Sequence, residues 1–450
     1  MNSSAYPRPA VLPAGTPSER VWESDTLPNG LTAALTNLPR RGMMAARLVF
    51  GHGAGSENPD EGGITRILMH AMAGGPSVRG TNGSFDALEQ LGATLTADCT
   101  HDGASLTAVG PAARFGEILR LMAEAVMAPA LTDAEIKRLT LQRAGEIRSE
   151  RARPEVRARH EFIGAVHLPG SNYARPSGGT HESMTLIDAA AVRKRYARIV
   201  APQDAILLLA GDLSGDVDAD VRAAFSGWSG GGPVTHAEVR ELRPTLEPIV
   251  ISSLPSVTQT HVLYGGAGEP MTARAAAALH LAVYALGGWF GSRLNTVLRE
   301  EKGYSYGAAA SFVVRKVSGV YLPELILEAA VDSASTGPAV RVMAAEIERL
   351  IDDGLPSGEL ETVKECLIRS TPLTMQTSEQ IVSVYGRLHE QGHGLDRVEE
   401  AARHIAAVET DVVQAAAHHL DRARLVMVAV GDPAVIKTAL LENEAAHAID

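Results

Sequence analysis

The sequence predicts an α+β protein built twice over: two homologous halves, each a largely antiparallel sheet packed by helices. Three observations carry that expectation. Two apolar, strand-like runs close on the same dipeptide, AILLLAGD at Gly211-Asp212 and RLVMVAVGD at Gly431-Asp432, 220 positions apart. Two helical segments precede them at nearly the same offset, LTDAEIKRLTLQRAGEIRSE from Leu131 and LPSGELETVKECLIRSTP from Leu355, with Glu135 and Glu359 separated by 224 positions. Hairpin signals and helix signals also come in separate blocks, the pattern of helices laid on an antiparallel sheet.

Each element follows from local chemistry. Residues 1–17 are rich in Pro and Ser and predict a flexible tail. The first domain, 18–226, opens with period-two stretches on either side of Asn29-Gly30, a hairpin signal. MMAARLVFG reads as a strand, residues 61–73 as a helix, and SFDALEQL as a short helix. A second hairpin turns at Asp102-Gly103, and helices follow over 113–127 and 132–150. Four glycines and Pro233 make 227–245 an exposed linker. A second domain spans 246–440, and 441–450 reads as a tail.

Composition excludes several function classes. The 450 residues are 45% hydrophobic but only 4% aromatic, and the net charge is −12. An acidic chain is not built to neutralise phosphates, so nucleic acid is not the expected partner. No apolar run approaches the ~20 residues that span a bilayer, and the N-terminus lacks the apolar core of a secretory signal. A cytoplasmic location is therefore expected. Two cysteines, Cys99 and Cys366, rule out a disulfide framework and a Cys-based zinc cluster.

The run from Gly55 to Gly80, GSENPDEGGITRILMHAMAGGPSVRG, resembles the zinc-site helix of the pitrilysin/insulinase (mitochondrial-processing-peptidase-like) family of inverted zinc peptidases. In that family the helix carries H-x-x-E-H: two His hold zinc, the Glu acts on the metal-bound water, and a distal Glu completes the ligands. The resemblance extends over about residues 18–439 and implies a two-domain chain that forms half of a clamshell. The five motif positions here read Arg66-Ile67-Leu68-Met69-His70, and the distal Glu falls on Glu146, 76 positions after His70. Arg66 is a permanent cation where the first ligand belongs, and Met69 cannot take a proton. The motif is degenerate: no metal is expected in this chain, and the helix is expected to be structural, with Arg66 paired to Glu146.

A second pattern, His389-Glu390-Gln391-Gly392-His393, matches the ordinary zincin sequence H-E-x-x-H. Gly392 inside it and Gly394 after it predict a helix end instead, since glycine disfavours helix interiors and favours the position just past them.

FGSRLNTVLREEKGYSYGAAASF, from Phe290 to Phe312, resembles the element of the same family's C-terminal half in which an Arg and a Tyr seven positions later bind the substrate backbone near the zinc. Those positions are Arg299 and Tyr306; Tyr304 stands only five from Arg299, and Gly303 and Gly307 permit tight turns beside the pair. A chain with a lost zinc motif and a retained Arg/Tyr pair implies the non-catalytic, substrate-binding subunit of a heterodimeric zinc metalloendopeptidase. The partner would be a homologous chain with an intact H-x-x-E-H that carries the zinc, and Arg299 and Tyr306 would assist its active site on a peptide. Two alternatives stand beside this: a scaffold like the core proteins of a respiratory complex, and a self-sufficient zincin using His389, Glu390 and His393.

Overall fold

A computed structural model describes residues 20–75, 86–213, 215–230, 242–244, 246–255, 257–418, 420 and 424–447. The expected tail 1–17 lies outside them, as does most of the expected linker.

Two sheets carry the molecule. The first contains β1 (Glu23–Thr26), β2 (Thr32–Asn37), β3 (Met43–Phe50), β4 (Thr94–Cys99), β5 (Ala104–Pro111) and β6 (Ala205–Gly211), in the order β1-β2-β6-β3-β5-β4. The second contains β7 (Ile249–Ser253), β8 (Gln259–Ala267), β9 (Ser305–Val317), β10 (Val320–Asp332) and β11 (Leu425–Gly431), in the order β7-β11-β8-β10-β9. With β1 set aside, the two orders coincide strand for strand. In each sheet one pair is parallel, β2–β6 and β7–β11, and the remaining pairs are antiparallel. The two predicted hairpins form where expected: Gly30 turns the first with a positive φ of 92°, and β4 pairs β5 across residues 100–103.

The helices repeat in the same way. The first half has α1 (Ile64–Ala73), α2 (Phe115–Met127), α3 (Asp133–Arg151), α4 (Pro154–Val166), α5 (Ala189–Ile199) and α6 (Val217–Phe225), with a four-residue turn at His181–Met184. The second half has α7 (Ala273–Gly287), α8 (Thr336–Asp353), α9 (Ser357–Ser370), α10 (Ser378–Glu390), α11 (Arg397–Ala406), α12 (Thr410–Ala417) and α13 (Pro433–His447). The starts of α3 and α9, and of α4 and α10, are each 224 positions apart, the offset read from Glu135 and Glu359. Residues 441–447, expected as tail, continue α13, as their run of Ala, Leu and Glu favours. Trp228, at the start of the expected linker, is buried against Phe50 and Phe225 rather than exposed.

Each half lends a helix to the other. Helix α4 lays Ala158, Phe162 and Val166 on Leu263, Val426 and Val428 of the second sheet. Helix α10 lays Ile381, Val382 and Tyr385 on Ala45, Val49 and Leu208 of the first. With its own helices covering the other face, β6 is buried at each of its seven residues, and so is β11. That double burial is why both read as unbroken apolar runs instead of alternating ones. Gly386 lets α10 come this close: a Cβ there would stand 2.6 Å from Nε of Arg47 on β3.

Candidate functional site

Helix α1 begins at Gly63, whose φ of 89° turns the chain into the helix. Its first N–H groups have no partner within the helix. The buried Glu57 carboxylate supplies one, accepting from the amides of Gly63 at 2.8 Å and Thr65 at 2.9 Å. Burial pushes Glu57 above the usual carboxylate range, while those two amides and the charge of Arg195 pull against the shift. Arg195 in turn donates to Thr65 Oγ1 and to the carbonyls of Gly53 and Ser56. The loop and helix start are thus one rigid unit.

Along α1, Ile67, Leu68 and Met69 are buried, whereas Arg66 and His70, four apart, are half-buried on one face. Burial and then the neighbouring Arg66 charge hold His70 below its ordinary value. The expected Arg66–Glu146 pair does not form. Glu146 instead accepts from Gln142 and Arg143, each at 3.1 Å, and Arg143 also grips Glu150 through two bonds of 2.6 and 2.8 Å. Arg143 is one turn away on the same helix, so it reaches Glu146 with less loss of side-chain freedom than Arg66 would incur. Burial alone would raise Glu146, but the Gln142 and Arg143 hydrogen bonds and the charges of Arg143 and Arg66 bring it below its ordinary value.

These residues do not fit zinc. Arg66 offers donors only, Met69 is sealed in the core, and Glu146 is committed to α3 neighbours. One imidazole remains where a stable site takes three or four ligands. Among the described residues, no group of three or more His, Cys, Asp or Glu is placed to hold a metal ion.

The H-E-x-x-H segment does not make a site either. Helix α10 stops at Glu390, Gly392 adopts a φ of 84°, and the amides of Gly392 and His393 fold back to the carbonyls of His389 and Leu388. The three side chains have separate surroundings. His389 is exposed, Glu390 binds Arg47 at 3.2 Å and Thr100 Oγ1 at 3.1 Å, and His393 gives Nε2 to the Val314 carbonyl at 2.8 Å.

Arg299 and Tyr306 lie around the start of β9. Residues Asn295–Glu301 wind as a π-helix, a rare geometry concentrated at functional sites. The buried Asn295 amide clasps β9 in both directions, donating to the Ala308 carbonyl and accepting from its N–H, each at 2.9 Å. That clasp holds the turn carrying Arg299 against the strand carrying Tyr306. The Arg299 guanidinium sits 4.4 Å from the centre of the Phe290 ring and 3.3 Å from Glu300. Tyr306 is 91% exposed and Phe290 66%, while Tyr304 packs on the core of the second half. The structure thus gives the two tyrosines different surroundings. Sequence reasoning missed Glu57 and Asn295; the acid eight residues before Thr65 in GSENPDEGGIT was the available signal for the first.

A two-halved α+β chain with its sheets repeated and its halves cross-braced has the architecture of an M16-type peptidase. The comparisons agree, and the chain belongs to the insulinase family. Residues 32–168 match the model described as "Insulinase (Peptidase family M16)", and residues 187–367 match "Peptidase M16 inactive domain". An uncharacterised zinc protease of Bacillus subtilis (strain 168) is 21% identical over 362 residues, covering 80% of this chain and 86% of that one. One from Mycobacterium leprae (strain TN) is 24% identical over 424 residues, covering 92% of each. The fold is shared with a peptidase M16 inactive domain from Pseudomonas fluorescens, at a TM-score of 0.82, 20% identity and coverage of 92% and 98%. A chain of Complex III2 from Candida albicans gives 0.75, with 15% identity and coverage of 94% and 96%. Among the described residues no helix is long and apolar enough to cross a membrane.

Proposed function

We propose that this chain is the metal-free, substrate-binding subunit of a cytoplasmic two-chain zinc endopeptidase. Its partner is a homologous chain with an intact H-x-x-E-H motif that holds the zinc. The observation that best supports this is the contrast between the two halves: Arg66 and Met69 occupy the metal positions of the first, while the second presents Tyr306 almost wholly to solvent at the start of β9, where Asn295 holds the turn that carries Arg299. Across a chamber, Arg299 contributes a fixed charge and several N–H donors, and Tyr306 one O–H. Both can donate to a peptide carbonyl oxygen and gain strength as that oxygen turns anionic. Among the described residues β9 lies at the edge of the second sheet, and Asn295 holds its outer edge at Ala308, so the pair is presented from a fixed strand.

The test is purification of the chain alone and with its co-purifying homologue. Alone, it should hold well below one equivalent of zinc and cleave no peptide; together, the two should hold one zinc and cleave. One tightly bound zinc per isolated chain overturns the proposal. The fold likeness to a chain of Complex III2 favours a second reading, a scaffold without peptidase work. A natural complex that contains zinc yet cleaves no peptide supports that reading instead.

A further inference from the structure

The second half holds a cavity of about 230 Å³ where α7, α9, α11, β9 and the end of α10 meet. Its place in the fold is informative. Helix α7 follows β8 as α1 follows β3, and it packs on β9 and α9 as α1 packs on β4 and α3. Ala276 and His280 face the cavity four residues apart on α7, as Arg66 and His70 share a face of α1. Leu367 and Thr371 of the cavity flank position 370, the counterpart of Glu146 at the 224-residue offset. The cavity therefore occupies, in the second half, the place of the degenerate metal motif in the first.

Its chemistry has changed from ligand set to apolar pocket with one polar side. Phe312, Val314, Leu367 and Ile405 give apolar walls. The His280 ring stacks on Phe312 with centroids 5.5 Å apart and makes no hydrogen bond to any described residue. Burial, and then the charge of Arg397, lower its pKa to about 4, so it is a neutral imidazole at pH 7. Arg397 also lines the cavity. One face of its guanidinium lies over Tyr321 at 5.3 Å. Its nearest carboxylate is Glu400, at 3.7 Å, and Nη1 is buried without a hydrogen-bond partner. His393 spends Nε2 on Val314, leaving Nδ1 buried and unpartnered. Unsatisfied buried donors and acceptors are costly, and here two such atoms, on Arg397 and His393, border one apolar space together with the His280 ring.

We propose that this cavity is a binding site for a small carboxylic acid, its apolar body against Phe312, Leu367 and Ile405 and its carboxylate toward Arg397 and His280. The volume is below the roughly 300–1,000 Å³ of drug-sized pockets, which fits a short aliphatic or arylalkyl acid and not a peptide. The H-E-x-x-H segment acquires a role in this arrangement: Leu388, Gln391 and His393 form one wall. The site requires no metal and no partner subunit, so it stands or falls independently of the peptidase proposal.

Calorimetric titration of the full chain with octanoate and with octanamide tests it. Octanoate should bind one per chain, at least ~10-fold more tightly than the amide, because only the carboxylate answers the guanidinium. Arg397→Gln should erase that preference and Arg397→Lys should restore part of it. Ala402→Phe, at the half-exposed rim, should block both ligands without lowering the melting temperature. No saturable octanoate uptake by the wild type below about 10 mM, or equal affinity for acid and amide, overturns the proposal without recourse to any variant. Unchanged octanoate binding in a folded Ala402→Phe protein places the ligand elsewhere and overturns it too.

Discussion

In the first half, the helix after β3 is capped by Glu57, and its half-buried face carries Arg66 and His70 beside the highly charged helix α3. In the second half, the helix after β8 carries Ala276 and His280 beside an apolar stretch of α9, and the exposed chemistry has moved to the turn before β9. The same strand order and the same cross-bracing support both. The framework is therefore indifferent to what a few positions on one helix face contain, and function is set by substitutions that leave the sheets untouched. In the first half they put Arg66 and Met69 on the helix after β3; in the second they leave Tyr306 exposed at the start of β9.

That contrast is broken most directly at the donor pair. In the reconstituted two-chain enzyme, Arg299→Ala or Tyr306→Phe should lower turnover by about 10²–10³, the usual cost of one preorganised donor to an oxyanion. Zinc content and dimer formation should stay constant, since neither residue lies at a metal position. Tyr304→Phe is the control, because Tyr304 packs on the core; it should remain close to wild type. Wild-type steady-state rates for both Arg299→Ala and Tyr306→Phe would make the second half as silent as the first and leave the scaffold reading.

The cap of α1 sharpens the comparison from the other side. Glu57→Ala strips two buried amides of their acceptor and leaves Arg195 without its nearby carboxylate charge. A loss of about 3 kcal/mol in unfolding free energy is expected from chemical denaturation. Helix α7 starts with an ordinary Thr272 cap, so Thr272→Ala should cost only about 1 kcal/mol. Equal losses at the two helix starts would mean that Glu57 is no more than an ordinary cap.

The repeat was legible because it lies in local patterns: Gly-Asp closing two apolar strands, and two charged helices at offset 224. Hairpins announced themselves at Asn29-Gly30 and Asp102-Gly103 for the same reason. What stayed hidden depends on partners remote in sequence. Nothing in PEVRARHEFIGAV says that Phe162 will lie on Val426, nor in SEQIVSVYGRLHE that Tyr385 will lie on the first sheet. The positions of Arg299 and Tyr306 could be read from spacing, but their presentation by a π-turn and the Asn295 clasp could not. The Arg66–Glu146 pair failed on competition: the sequence shows which charges exist, and only the folded helix shows that Arg143 arrives first.

A smaller effect concerns Phe290, whose ring supports the Arg299 guanidinium at 4.4 Å. Cation–π support at an exposed site contributes about 0.5–1 kcal/mol. Phe290→Ala should therefore lower turnover of the two-chain enzyme by about fivefold or less, and Phe290→Tyr should restore it. A loss as large as that of Arg299→Ala would mean that the ring itself contacts substrate.

The smallest effect is expected where the halves are braced. Helix α10 brings Glu390 into the first half, against Arg47 and Thr100, and both Arg47 and Glu390 side chains are almost fully buried. Burial pushes Glu390 above the usual carboxylate range, and the charge and hydrogen bond of Arg47 do not fully offset it. The carboxylate is therefore held at a net cost relative to water, as buried ion pairs often are. Glu390→Gln keeps an acceptor for Arg47 in its amide oxygen and turns its NH2 toward Thr100 Oγ1, a hydroxyl that can accept, and Arg47 retains Asp98 at 3.4 Å. At pH 7 the substitution should change stability by less than about 1 kcal/mol. The pH dependence gives the sign. A carboxyl with a raised folded-state pKa takes up its proton in the folded chain before the unfolded one does. Its contribution is complete below the unfolded value, about 4.3, and is lost as pH rises through the raised value. Wild type should accordingly gain stability relative to Glu390→Gln between pH 7 and pH 4.5, as read from paired urea titrations. A relative loss on acidification would show that the Arg47 pair stabilises the ionised form more than burial opposes it. The brace would then rest on charge rather than on the apolar contacts of Ile381, Val382 and Tyr385.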